Sequence, residues 1–133
     1  MTEQPNFEKR KRIKEEHLAK AVEAWNSIGI QSPGDVKYTL EEALNQPYLM
    51  VDSYRLEDGR YVFPRLYQND SNPENFKLFS NGGDVAVLID IMEKLLQKGI
   101  RVTDIMPGHG HFKSMNKEEV NKKAEELKLK YLK

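Results

Sequence analysis

The sequence predicts an α+β fold: a small, antiparallel-dominated sheet packed against two helices, with charged helices at both ends of the chain. Three features indicate this fold. First, Asp58-Gly59 separates two strand-like runs, residues 48–56 and 60–67, and this dipeptide is the strongest short-range hairpin signal. Second, a helix with apolar residues at the helical period follows over residues 85–98. Third, residues 100–106 alternate as a strand directly after that helix.

Length and composition limit the alternatives. The chain of 133 residues has the size of one domain. Its 21 basic residues balance 21 acidic ones, so no field over the whole molecule would gather nucleic acid or an anionic membrane. The absence of cysteine excludes disulfides, thiolate nucleophiles and sulfur-ligated metals. Because neither a secretion signal nor a membrane-spanning run is visible, we expect a cytoplasmic protein without a membrane contact, of bacterial or phage origin.

The N-terminal helix is predicted to have two unlike halves. Residues 1–16 are predicted to form a highly charged helical arm. We expect this arm to project from a globular domain of residues 17–115. Residues 17–28 carry the only tryptophan and are expected to dock on the sheet, with Gly29 as the stop. The apolar residues at helical spacing in this half are Leu18, Ala21, Val22, Trp25 and Ile28.

Two segments flank the hairpin. The capping-box spacing of Thr39 and Glu42 predicts a short helix over residues 40–45. Residues 68–83 are polar and rich in turn residues, and they are predicted to be the longest loop. This loop would be held down by Phe76, Leu78 and Phe79.

Within the hairpin, strand alternation assigns side chains to two faces. Tyr61 and Phe63 are predicted on one face, and Val62 and Leu66 on the other. Pro64 has no N–H to donate, which predicts that the second strand lies at an edge or has a bulge there.

The C-terminal half contains two further helix signals. Asp84 is predicted to cap the apolar helix, and the strand after it is predicted to pair with either hairpin strand. Residues 116–133 are predicted to form a C-terminal amphipathic helix, because Asn116 and Glu119 have the spacing of a capping box. Its apolar positions form a narrow stripe on an otherwise highly charged helix: Val120, Ala124, Leu127 and Tyr131.

A candidate metal site follows the last strand, at Gly108-His109-Gly110-His111. Two imidazoles two residues apart on a glycine-containing loop can reach one metal ion. A third ligand is not evident, because His17 is distant in sequence and Asp104 is predicted to point away. The alternative is a surface turn in which the histidines are incidental, and we predict no cofactor.

A candidate nucleic-acid site lies in the N-terminal arm, in a basic cluster of Lys9, Arg10, Lys11, Arg12 and Lys14. These cations could contact phosphates, but no aromatic side chains are interleaved for base stacking. Lys11 and Arg12 stand four residues before Glu15 and Glu16, which favours helical ion pairs on a solvated face. We therefore do not expect nucleic acid to be the partner.

A candidate partner surface consists of aromatic residues, which bury a large area at low entropic cost. Packing in the core and the sheet is the favoured role for at least half of them. The candidates are Tyr54, Tyr61, Phe63 and Tyr67 of the hairpin and Tyr131 of the C-terminal helix.

Residues 58–68, Asp-Gly-Arg-Tyr-Val-Phe-Pro-Arg-Leu-Tyr-Gln, and the helix that ends at Gly99 resemble parts of two families. In ParS-like toxin-binding antitoxins, a short Gly-Arg strand ends in Phe-Pro and Gln before a helix. In SseB-like domains, such a strand precedes a helix and an Asn-Pro-Gly turn comparable to Met106-Pro107-Gly108. Each resemblance covers less than half of the chain and assigns it to neither family. Both imply a binding module rather than an enzyme.

No motif in the sequence indicates a catalytic site. We therefore expect a non-enzymatic regulatory or inhibitory protein that acts by binding another protein, as antitoxins, immunity proteins and adaptors do. The terminal helices are expected surfaces for a protein partner or a homodimer. Two alternatives stay open: a small metal- or ligand-binding domain that uses His109 and His111, and a nucleic-acid-contacting protein that uses residues 9–14.

Overall fold

The structure is a computed structural model that describes residues 3–29, 37–51, 53–108, 112 and 114–132. The predicted α+β fold with helices at both ends is confirmed. The elements are α1 (Glu3–Gly29), α2 (Leu40–Leu44), β1 (Leu49–Met50), β2 (Tyr54–Arg55), β3 (Tyr61–Gln68), β4 (Asn75–Gly83), α3 (Val85–Gln97), β5 (Arg101–Met106) and α4 (Lys117–Tyr131). The prediction of His109 and His111 as metal ligands lies outside the described residues.

The predicted hairpin is confirmed, but its first strand is present as two short pieces. Both β1 and β2 pair antiparallel with β3. Gly59 has a φ of 92°, the left-handed conformation that a three-residue hairpin loop requires. Between the pairs Met50–Arg65 and Tyr54–Val62, the first strand has one residue more than β3. The ladder is therefore interrupted opposite the part of β3 that contains Pro64, as the bulge alternative predicted.

The prediction of a loop over residues 68–83 is wrong, because most of this segment is β4. Phe76, Leu78 and Ser80 alternate as buried residues, which is the pattern of a strand with one covered face. The hydroxyl of Ser80 bonds to the backbone of Gly82 on the same strand, so its burial leaves no unpaired group.

The position of β4 also corrects the predicted strand pairing. The sheet order is β1-β3-β4-β5 with β2 beside β3, so β3 is an inner strand and not an edge. The strand β5 pairs with β4, in parallel, rather than with a hairpin strand. Two parallel strands need a crossover connection, and α3 supplies it between β4 and β5.

The helix α3 is the centre of the core. Asp84 accepts a hydrogen bond from the backbone N–H of Ala86 and caps the helix as predicted. Eight of its thirteen residues are buried, together with Val62, Leu66, Leu78 and Val102 of the sheet. The other side of α3 is covered by α1 and α4. All four helices contribute buried residues to this one core.

The terminal helices differ from the predicted partner surfaces. In α1, the half with Leu18 and Trp25 is buried as expected, and residues 8–16 are mostly exposed. In α4, the stripe of Val120, Ala124 and Leu127 is buried within the chain, where α4 contacts α3 and β5. This stripe is therefore not open to a partner, because the apolar outer side of α3 already covers it.

The segment between α1 and β1 is tied to both. The side-chain amide of Asn26 donates to the carbonyl of Tyr38 and accepts from the N–H of Tyr38, both at 2.8 Å. The hydroxyl of Tyr38 in turn accepts from the N–H of Met50 at 3.1 Å. These bonds hold α2 and its capping box beside α1.

The close approach of β3 and β4 at Gly83 gives a stability prediction. Gly83 has a φ of 88°, and an added Cβ would lie 2.3 Å from the carbonyl oxygen of Tyr61. We expect Gly83→Ala to lower the free energy of unfolding by roughly 3 kcal/mol, through backbone strain and the clash. Urea denaturation followed by the fluorescence of Trp25 measures this.

The matched control is Gly59→Ala. Its φ is similar at 92°, but no atom lies within 4 Å of the added Cβ. Gly59→Ala should therefore lower the free energy of unfolding by about 1 kcal/mol, because it adds backbone strain but no clash. Equal losses for the two variants would contradict the close approach of the two strands.

Candidate binding surface on the sheet

One face of the sheet is not covered by any element that the structure describes. The side chains of β3 and β4 alternate between buried positions, which contact the helices, and outward positions that are exposed or half-buried. We call the outward face the open face. Its residues are Tyr61, Phe63, Arg65 and Tyr67 of β3, Asn75, Lys77 and Phe79 of β4, Arg55 of β2, Tyr48 before β1, Met50 of β1, and Arg101, Asp104 and Met106 of β5.

The aromatic rings of the open face contact one another in two groups. Tyr61 and Phe63 meet edge to face, with ring centroids 5.4 Å apart. Tyr67 lies between Tyr48 at 5.2 Å and Phe79 at 6.3 Å. Such edge and tilted contacts are the favourable geometry for aromatic pairs, so the rings support one another's positions.

Cations lie over several of these rings. The guanidinium of Arg65 is 4.7 Å from the ring centroid of Tyr48, and the ammonium of Lys77 is 5.1 Å from that of Tyr67. Within the described part of the chain, neither cation has a carboxylate within ion-pair distance. Asp104 is opposite Lys77 in the β4–β5 ladder but forms no ion pair with it. The open face is therefore both aromatic and basic.

Three of the five predicted partner residues lie on this face. Tyr61 is 41% exposed, and Phe63 and Tyr67 are half-buried beside it. The sequence did not indicate Arg65, Lys77 or Phe79 as parts of this surface. The alternation across residues 75–80, with apolar residues at 76 and 78, was the signal that could have placed Lys77 and Phe79 on the outward face of a strand.

Tyr54, which was also predicted as a partner residue, lies in the core and not on the open face. Tyr54 is 3% exposed, because it pairs with Val62 and so points to the same covered face. Tyr131 is half-buried at the end of α4, where its hydroxyl accepts a hydrogen bond from Gln97. It belongs to the helical side of the molecule and not to the open face.

A partly buried contact holds the hydroxyl of Tyr54. The hydroxyl accepts a hydrogen bond from the ammonium of Lys94, which also lies 3.2 Å from Asp90. The bond to Tyr54 raises the pKa of Lys94 above its ordinary value of 10.5, partial burial opposes this, and Asp90 adds to the rise. The contact joins β2 to α3.

A cleft of about 300 Å³ opens at the end of the open face. It is lined by Lys14 and Leu18 of α1, Ala43 and Leu44 of α2, residues 46–49, Leu66, Tyr67 and Gln68 of β3, and Asp70. Tyr48 and Tyr67 are therefore shared between the cleft and the open face. Leu44 at the cleft is 42% exposed.

Gln68 holds the wall of the cleft together. Its side-chain nitrogen donates to the carbonyl of Lys14 at 3.0 Å and to that of Pro73 at 2.8 Å. This joins α1 to the turn between β3 and β4. The side-chain oxygen of Gln68 is buried and accepts no hydrogen bond from the described residues.

The basic cluster of α1 is exposed, and the predicted ion pairs of Lys11 with Glu15 and Arg12 with Glu16 are not formed. Exposed helical pairs gain too little to order two long side chains. Among the described residues, the ion pair of this cluster is that of Lys14 with Asp70, at 3.6 Å.

Among the described residues, no group of three or more histidine, cysteine or acidic side chains is placed to hold a metal ion. None of the described helices has the length and apolar character to cross a membrane. Comparisons of the chain with models of protein families, with curated proteins and with solved structures give no match.

The contact of Lys94 with Tyr54 gives a pH prediction. The pKa of Lys94 is higher in the folded chain than in the unfolded chain. The stabilisation that the charged Lys94 gives to the fold is therefore complete below the pKa of Lys94 in the unfolded chain. It is lost as the pH rises through the pKa of Lys94 in the folded chain. We expect Tyr54→Phe to be less stable than the parent at pH 8, and the difference to shrink by about pH 11.

Urea denaturation at the two pH values measures this difference in the free energy of unfolding. Tyr61→Phe, on the open face and away from Lys94, is the control for the titration of a tyrosine itself. A difference for Tyr54→Phe that stays constant between the two pH values would contradict the role of Lys94.

Proposed function

We propose that this chain is a non-enzymatic binding protein that holds another protein on the open face of its sheet and thereby regulates or inhibits it. The observation that carries the proposal is the aromatic and basic character of a sheet face that no described element covers. Tyrosine and arginine are enriched among the residues that dominate binding energy at protein interfaces. An exposed patch of this kind marks an interaction site more often than it marks ordinary surface.

The ring geometry favours a protein partner over a nucleic acid. Stacking on bases needs free ring faces. Arg65 and Lys77 occupy faces of Tyr48 and Tyr67, and the remaining rings meet edge to face. The balanced net charge of the chain also provides no overall attraction to a polyanion. The basic cluster of α1 stays the alternative site for nucleic acid.

The cytoplasmic location, the bacterial or phage origin and the homodimer stay predictions. A cytoplasmic location agrees with a chain that contains no cysteine. A homodimer through the terminal helices would have to use residues 8–16 of α1 or the outer side of α4, since the apolar stripe of α4 is buried. The metal-binding alternative rests on His109 and His111, which are outside the described residues.

Site-specific photo-crosslinking in the source cells tests the proposal. A benzophenone amino acid in place of Tyr61 should attach to one protein, because that side chain is 41% exposed on the open face. The same amino acid in place of Leu129, which is 67% exposed on α4, is the matched control and should capture no such protein. Nucleic acid attached at position 61, or the same products from both positions, would contradict the proposal.

A charge reversal tests the basic residues. The double variant Arg65→Glu, Lys77→Glu should lower the crosslinking yield from position 61 about tenfold, since it reverses both unpaired cations. Lys122→Glu, Lys123→Glu on the exposed side of α4 reverses the same number of charges and should leave the yield unchanged. Equal yields from the two double variants would show that the cations of the open face take no part.

A further inference from the structure

The cleft beside the open face has little room, and apolar and polar groups share its walls about equally. Its volume of about 300 Å³ is at the lower end for ligand pockets, so it suits one large side chain rather than an extended cofactor. The carbon surface comes from Leu18, Leu44, Leu49 and Leu66. Leu44 is 42% exposed at this concave site, which is an apolar surface that a bound group would remove from water.

The surroundings of the cleft are basic. Arg65 and Lys77 lie over the two tyrosines that line it, and neither has a carboxylate partner among the described residues. Lys14 lines the cleft as well and pairs with Asp70, whose side chain is 94% exposed. Lys14, Arg65 and Lys77 thus stand against two carboxylates, that of Asp70 and that of Asp104, which is opposite Lys77 in the β4–β5 ladder.

The helix that carries Lys14 adds to this charge. Over residues 8–16, five cations stand against three carboxylates, a surplus of two positive charges. Most of these side chains are exposed. The basic cluster of α1 is therefore continuous, through Lys14, with the basic edge of the cleft.

The cleft is preformed, because hydrogen bonds fix its walls. Gln68 bonds to the backbone on both sides, at Lys14 and at Pro73, and the bonds of Tyr38 to Asn26 and Met50 hold the α2 side. A site whose walls are already fixed loses little conformational entropy on binding.

We infer that this cleft is the anchor pocket for the protein partner, and that the partner presents an acidic segment with one large apolar side chain. The apolar side chain enters beside Leu44, and the flanking carboxylates lie against Arg65, Lys77 and Lys14. The inference rests on the proposed function and names the chemistry of the partner. It also gives the basic cluster of α1 a role, as a guide for the acidic segment.

Synthetic peptides test the inference on the full chain. The first is a twelve-residue acidic peptide with one central phenylalanine, blocked at both ends. The second has serine in place of the phenylalanine, and the third has lysine in place of every acidic residue. In titrations of the ¹⁵N-labelled protein, the first peptide should shift the amide signals of Leu44, Tyr48 and Gln68 and bind at least tenfold more tightly than the other two.

Two substitutions of one exposed residue separate the apolar contact from the charge. Leu44→Lys and Leu44→Glu both remove the leucine at a position where neither disturbs the core. Both should weaken binding of the first peptide, and Leu44→Glu should weaken it by about tenfold more, since it repels the acidic segment. An equal effect of the two variants would overturn the acidic character of the partner.

Other outcomes overturn the inference in distinguishable ways. If the serine peptide binds as well as the first, the cleft is not an anchor pocket. If 3-phenylpropionate shifts the signals of the cleft and no peptide does, the site belongs to a small apolar acid. If no probe binds while crosslinking at position 61 still captures a protein, the inference fails and the proposed function stands. If crosslinking fails as well, both fail.

Discussion

The packing of α3 against the covered face of the sheet is the interaction on which the rest of the structure depends. The strands β4 and β5 are parallel neighbours, so the chain must cross over between them, and α3 is that connection. Because α3 is apolar on more than one side, it needs cover from the sheet and from other helices. The terminal helices α1 and α4 supply that cover, and the opposite face of the sheet receives no described element.

This one-sided arrangement decides which aromatic residues can take part in binding. Tyr54 and Tyr61 are near each other in the same hairpin, but strand alternation and the register place Tyr54 under α3 and Tyr61 on the open face. The hydroxyl of Tyr54 then accepts a hydrogen bond from the partly exposed Lys94 of α3, whereas the rings of the open face contact one another and the cations above them. The same hairpin thus contributes to the core and to the binding surface.

The cleft and the open face form one continuous surface through Tyr48 and Tyr67. Its parts come from distant segments: α1 supplies Lys14, α2 supplies Leu44 and β4 supplies Lys77. Gln68 joins α1 to the turn before β4 with hydrogen bonds to backbone carbonyls, which do not depend on the side chains present there. The proposed anchor pocket is therefore a consequence of how α1 and α2 lie across the end of β3.

The sequence alone determined the features that depend on near neighbours. The hairpin turn at Asp58-Gly59, the caps at Asp84 and Asn116 and the helical periods of α3 and α4 follow from residues within one turn of each other. Only the tertiary structure decided that residues 75–83 form β4, that β5 pairs with it, and that α3 covers the stripe of α4. The physical reason is that pairing and burial join segments far apart in the chain, so the polar residues of β4 resemble a loop until their buried neighbours are known.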